Sequence, residues 1–122
     1  MQKVKSFEDL EVWQNARLLN QKIYEISQMP GLSNDYSLKD QMLRSCGSVM
    51  DNIAEGFDRN GNKQFIYFLK IAKGSCAELQ SQLYRCLDRS YIIQTTFDDL
   101  MADAQRCSKM LGGLIRYLKG KI

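Results

Sequence analysis

Apolar residues recur along this chain at alternating spacings of three and four, the period of helices that bury one face. Val12, Ala16, Leu19, Ile23 and Ile26 make the first such stripe. It predicts a helix over 8–28, opened by Ser6 and Asp9 in a capping-box arrangement and stopped by Met29, Pro30 and Gly31. Leu10, Trp13 and Tyr24 fall on a second face, so this helix is expected to be gripped from two sides. Leu38, Met42, Cys46, Val49, Ile53 and Phe57 predict a second helix over 37–59, capped by Ser37, with Gly56 and Gly61 marking its end.

The third stripe, from Phe65 and Phe68 through Leu69, Ala72, Cys76, Leu79 and Leu83 to Leu87, predicts a helix over 62–91. Its far side is not simply polar. Tyr67, Ile71, Gly74, Glu78, Ser81 and Arg85 line up there, and Ile66 with Tyr84 makes a further apolar strip that a lone subunit would leave in water. Oligomerisation would bury it, with Gly74 and Ser75 permitting close backbone approach. Phe97, Leu100, Met101, Ala104, Cys107, Leu111, Leu114, Ile115 and Leu118 predict a fourth helix over 96–119, announced by Thr95 and Thr96 with Asp98 and Asp99 in its first turn. Gly112 and Gly113 interrupt it, which a close helix crossing, an oligomer contact or a local kink would each explain.

Four amphipathic helices joined by short connections predict an all-α fold, an antiparallel up-down-up-down four-helix bundle in a single domain, 1–122. The surplus apolar strips predict a homo-oligomer, and a cyclic one if one surface of a subunit meets a different surface of the next. One polar pattern stands out against this frame. Gln41, Arg44, Ser48, Asn52, Glu55 and Arg59 lie 3, 4, 4, 3 and 4 apart, on one narrow stripe of the second helix. Amides, a hydroxyl, an acid and arginines can saturate one another's hydrogen bonds, so the stripe reads as a polar seam between helices or subunits; a plain solvated face is the alternative.

Composition narrows the chemistry. The 122 residues include no histidine and four cysteines, Cys46, Cys76, Cys86 and Cys107, at least ten residues apart. Neither a zinc motif nor a redox pair can be written, and each cysteine falls on or beside an apolar stripe as a reduced core thiol, which suits a cytoplasmic protein. No run approaches the ~20 apolar residues of a membrane span, and the polar start predicts a soluble, uncleaved protein. The net charge of +3 permits an anionic partner without demanding one. Both ends are basic: Lys3 and Lys5 open the chain, and Arg116, Lys119 and Lys121 close it. The closing cluster suits the negative end of a helix dipole, with RNA contact as the other reading.

The motifs Phe7 to Gln14, Leu38-x-x-Gln41, Arg44, Ser48-Val49, Asn52-Ile53-Ala54-Glu55-Gly56 and Phe68-Leu69-x-Ile71-Ala72-x-Gly74-Ser75-x-x-Glu78-Leu79 resemble the four-helix-bundle family of 23S ribosomal RNA intervening-sequence proteins. The resemblance covers nearly the whole chain. It implies an antiparallel bundle assembled into a ring, a homopentamer with a polar or basic channel, and nucleic-acid binding as its role. Where family members tend to carry two adjacent basic residues after Gln41, this chain has Leu43-Arg44, and Gly47 replaces a larger apolar residue.

Three function classes follow. The first is a nonenzymatic protein that binds RNA or a ribonucleoprotein through phosphate contacts from Arg44, Arg59, Arg85 and Arg89. The second is a protein-interaction scaffold in which Gln41, Ser48, Asn52, Glu55, Gly56, Gly74, Ser75 and Glu78 organise subunits, the glutamates pairing with arginines across helices. An enzyme is the weakest: without histidine the Glu-x-x-His di-iron pattern is impossible, and no nucleophile or phosphate loop accompanies Glu55 and Glu78. No catalytic residue, metal or cofactor is expected.

Overall fold

The computed structural model describes residues 4–122, and Lys3 of the basic chain start lies outside the described residues. Four long helices account for most of it: α1 (Glu11–Ser27), α2 (Tyr36–Asp58), α3 (Asn62–Asp88) and α4 (Gln94–Lys119). Short 3-10 turns at Phe7–Asp9 and Leu32–Asn34 precede α1 and α2, and no strand occurs among the described residues. The protein is all-α.

The predicted stripes are the core. Val12, Ala16, Leu19, Ile23 and Ile26 of α1, Leu38 to Ile53 at helical spacing on α2, and Phe97 through Leu118 on α4 join α3 in one continuous apolar cluster. Each helix packs against its neighbours in sequence, and α1 closes the set against α4. Along α2, Gln41, Ser45 and Ser48 meet Arg85, Gln82 and Ser75 of α3, so the partners run in opposite order.

Several boundaries differ from the sequence expectation, each for a local reason. Ser6 and Asp9 bracket the 3-10 turn rather than α1: Asp9 Oδ2 accepts from the backbone N–H groups of Lys5 and Ser6, at 3.0 and 3.2 Å. Leu10 is extended and α1 starts after it. Asp35, not Ser37, caps α2 by accepting from Leu38 N at 3.2 Å, and Ser37 sits in the first turn, where its hydroxyl accepts from Gln41 Nε2. α3 ends at Asp88 because Ser90 adopts a left-handed φ of 61° and turns the chain. α4 begins at Gln94, without a side-chain cap, ahead of both threonines.

The connection between α1 and α2 turns at Gly31, whose φ of 96° is left-handed and whose missing Cβ would lie 2.8 Å from the Tyr91 ring. Tyr91 OH in turn donates to Asp35 Oδ2 at 2.9 Å, and Arg89 Nη1 donates to the same oxygen at 2.6 Å. The α1–α2 and α3–α4 connections are thereby tied together at one end of the molecule. These contacts set the carboxyl of Asp35: the Leu38 N–H, the Tyr91 hydroxyl and Arg89 hold it below the usual carboxylate range.

Candidate nucleic-acid and assembly interface

The polar stripe of α2 divides in two. Its inner members meet α3. Ser48 Oγ and Ser75 Oγ share a hydrogen bond of 2.8 Å, and Asn52 Nδ2 donates to both the carbonyl oxygen and Oγ of Ser48, at 2.8 and 2.9 Å. One turn further along, Gln82 Nε2 donates to Ser45 Oγ at 3.0 Å, both residues being buried. Arg85 Nη1 donates to Gln41 Oε1 at 3.1 Å, extending the line. Of the stripe, Ser48 and Gln41 bond across to Ser75 and Arg85 of α3, while Asn52 bonds only to Ser48 within its own helix. Burying hydroxyls and amides without partners would cost on the order of 1–3 kcal/mol per group, so the seam fixes how α2 registers against α3. Gln82 Oε1 is the one buried side-chain oxygen without a partner among the described residues.

Gly56 completes this seam, and it is not a cap. A Cβ there would stand 2.7 Å from Phe68 Cβ and 3.3 Å from the Phe65 carbonyl oxygen. It lies in the last turn of α2, buried, directly against Phe65 and Phe68 of α3. The motif Asn52-Ile53-Ala54-Glu55-Gly56 therefore reads physically: an amide that ties the seam, an apolar core residue, and a glycine that lets α3 in.

The outer members of the stripe are solvated. Arg44 pairs with Asp40 at 3.0 Å, one turn earlier, with 80% of its side chain exposed. Arg59 pairs with Glu55 and lies over the Phe68 ring, 5.1 Å from its centroid. Arg89 is taken by Asp35. Three of the four arginines expected to touch phosphate thus hold an acid, and the fourth, Arg85, donates to Gln41. Glu55 and Glu78 do not reach arginines across helices: Glu55 pairs within its own helix, and Glu78 has no ion pair among the described residues.

On α3 the exposed far side is as expected at Tyr67, Ile71, Gly74, Glu78 and Ser81. Ile66 is not part of it, because α3 is rotated so that Ile66 is buried in the core while Phe65 and Phe68 are only half-buried. Tyr84 remains exposed, its ring packed edge-on against Phe97. Nothing lies within 4 Å of the Cβ position of Gly74, so no contact within the chain calls for glycine there. The same holds for Gly47, and α2 runs through it unbroken.

All four cysteines are buried and free. Burial pushes the Cys46 thiol up to about 12 and the Cys86 thiol up to about 11, so neither offers a thiolate at neutral pH. Contact with Cys76 and burial likewise hold the Cys107 thiol protonated. Among the described residues no cluster of His, Cys, Asp or Glu could hold a metal ion, and no helix is long and apolar enough to cross a membrane.

A second charged region joins Arg116 of the closing basic cluster to Lys73 and Lys109, which the sequence did not single out. Lys73 of α3 and Lys109 and Arg116 of α4 line an open cleft of about 380 Å³ with Ser108 and Gly112. None of the three cations has a salt-bridge partner among the described residues, in contrast to Arg44, Arg59 and Arg89.

Comparison with known proteins agrees with this architecture. A protein of unknown function from the S23 ribosomal protein family of Bacteroides thetaiotaomicron VPI-5482 superposes with a TM-score of 0.80 at 22% identity, over 86% of this chain and 95% of that one. At that identity the likeness shows the fold. No curated protein matches the chain. The sequence signature described as "23S rRNA-intervening sequence protein" matches residues 8–113, nearly the whole chain, and the protein belongs to that family.

Proposed function

We propose that this chain is a nonenzymatic four-helix bundle of antiparallel up-down-up-down topology, forming one domain that assembles as a cyclic homo-oligomer of five copies in the cytoplasm. It binds RNA or a ribonucleoprotein through phosphate contacts. The RNA reading rests on membership of a family described by 23S rRNA, and on cations available to a phosphate. Lys73, Lys109 and Arg116 are such cations, since none holds an acid among the described residues, whereas Arg44 is paired with Asp40.

The observation that carries the assembly is Gly74. A mid-helix glycine costs about 1 kcal/mol against alanine, and nothing within the chain uses the space. It sits on the exposed side of α3 with Tyr67, 61% exposed, and Ile71. A second copy seated there recovers the cost by burying both and approaching the bare backbone.

Light scattering on Gly74→Arg tests the assembly, and binding of labelled structured RNA across a salt series tests the function. The expected results are a fall from oligomer to monomer without loss of helix, and submicromolar wild-type binding that weakens as salt rises. A wild-type monomer at micromolar concentration contradicts the first part. No binding at low salt by an assembled sample contradicts the second and leaves a protein-interaction scaffold, the reading that the seam motif favours.

A further inference from the structure

The charge of this chain is distributed along its length in a way that the fold turns into a place. Residues 62–77 of α3 contain three lysines and no acid, and residues 104–122 contain five cations and no acid. The rest of the chain has nine cations against fourteen acids, so the whole positive excess resides in these two segments. The fold puts them side by side. Cys76 Sγ donates to the Ala104 carbonyl oxygen at 3.1 Å, Tyr84 packs on Phe97, and Lys73 lies beside Gly112.

The cleft described above is where they meet. Lys73 approaches from α3, Arg116 from α4, and the Cβ position of Gly112 is 3.5 Å both from Lys73 Cε and from Arg116 Nη1. The two cations converge over bare backbone, and Lys109 and the Ser108 hydroxyl complete the rim. No carboxylate lines it, and Arg106 is the single cation of residues 62–77 and 104–122 with an acid partner, Asp103. Like charges held together without an anion repel one another, so an anionic ligand gains from all of them at once.

We infer that the α3–α4 cleft of Lys73, Lys109 and Arg116 is the principal phosphate-binding site of this protein and takes the sugar–phosphate backbone of RNA. The inference rests on the RNA reading above and gives it a location different from the α2 arginines. The lining contains no aromatic or apolar side chain, so it recognises phosphate and not base identity. Repetition around a homo-oligomer presents one such cleft per subunit, which suits a long polyanion better than a small one.

The test is an NMR titration of assembled, ¹⁵N-labelled protein with pyrophosphate and with a short single-stranded RNA, alongside RNA affinities of K73Q/K109Q and R44Q. Both probes are expected to move the amides of Ser108, Lys109 and Gly112. RNA affinity is expected to fall about tenfold or more in K73Q/K109Q and to stay within about threefold in R44Q, since exposed glutamines leave the fold intact. RNA binding that is unchanged in K73Q/K109Q overturns the cleft and leaves the RNA reading standing. Pyrophosphate shifts without any RNA binding overturn the RNA reading and reduce the cleft to a small-anion site. No shifts with either probe overturn the cleft itself.

Discussion

The two flanks of α3 treat charge in opposite ways. Towards α2, Arg85 is donated to Gln41, Arg89 to Asp35, and Arg59 to Glu55 within α2, so the cations are committed to the protein's own acceptors. Towards α4, Lys73, Lys109 and Arg116 share a cleft with no acid in its lining. The residue types are alike and the difference lies in their company. On the first flank polar groups bond to one another; on the second the cations have no acid partner among the described residues. An arginine is therefore not evidence for phosphate contact until its acid neighbours have been counted.

The comparison predicts that substitutions on the α2 flank change stability and those in the cleft change binding. The largest stability effect belongs to Gly56→Leu, which drives a side chain into Phe68 and the Phe65 backbone of α3. Overpacking of this kind costs about 1–3 kcal/mol, and urea unfolding should show a loss at the upper end of that range. Ser75→Ala removes the hydroxyl partner of Ser48, and a loss of about 1 kcal/mol with unchanged RNA affinity is expected. An equal loss of RNA affinity by Ser75→Ala in a folded oligomer would break the division between the flanks.

A smaller effect lies at the Asp35 junction. Its carboxyl is lowered below the ordinary value of 3.8 by the Leu38 N–H, Tyr91 and Arg89. The charged form is the one that folding favours, so its contribution is present above the unfolded pKa and disappears as pH falls through the folded one. Thermal melts of the wild type should therefore lose stability on acidification below about pH 4, where Asp35→Asn should show a shallower slope. Identical acid limbs for the two proteins would remove Asp35 from the account.

Much of the fold could be read from the chain because its signals are periodic. Apolar spacings of three and four place Val12 to Ile26, Leu38 to Phe57 and Phe97 to Leu118 on one face each, and these stripes are buried except for the half-buried Phe57 and Leu114. Periodicity does not fix a rotation to within one residue, however. Phe65, Ile66, Phe68 and Leu69 are apolar on two adjacent faces, and only the folded packing puts Ile66 and Leu69 in the core and leaves Phe65 and Phe68 half-buried against Gly56 of α2. Caps failed where two residues compete for one role: Asp35 and Ser37 both suit a helix start, and the tie to Tyr91 and Arg89 decides it.

The site was legible as a motif but not as a geometry. The spacing of Gln41, Ser48 and Asn52 pointed to a seam, yet nothing local in the sequence pairs Gln41 with Arg85 or Ser48 with Ser75. Gly56 looked like a helix terminus because glycine commonly ends helices, whereas its role is contact with a helix that comes later in the chain. The cationic cleft had a readable signal, two acid-free segments, that becomes a cluster only when the fold lays one beside the other. Lys73 and Arg116 are 43 positions apart, and the fold makes them neighbours.

The division between the flanks is tested most directly by the salt dependence of RNA affinity for three assembled proteins: wild type, R44Q/R59Q on the α2 side, and K73Q/K109Q/R116Q in the cleft. Each phosphate contact contributes about 0.7 to the slope of log affinity against log salt for a single strand. The account predicts that the cleft variant loses about 2 from that slope, while R44Q/R59Q keeps the wild-type value. The reverse result, a slope lost with R44Q/R59Q and preserved without the cleft cations, would contradict it.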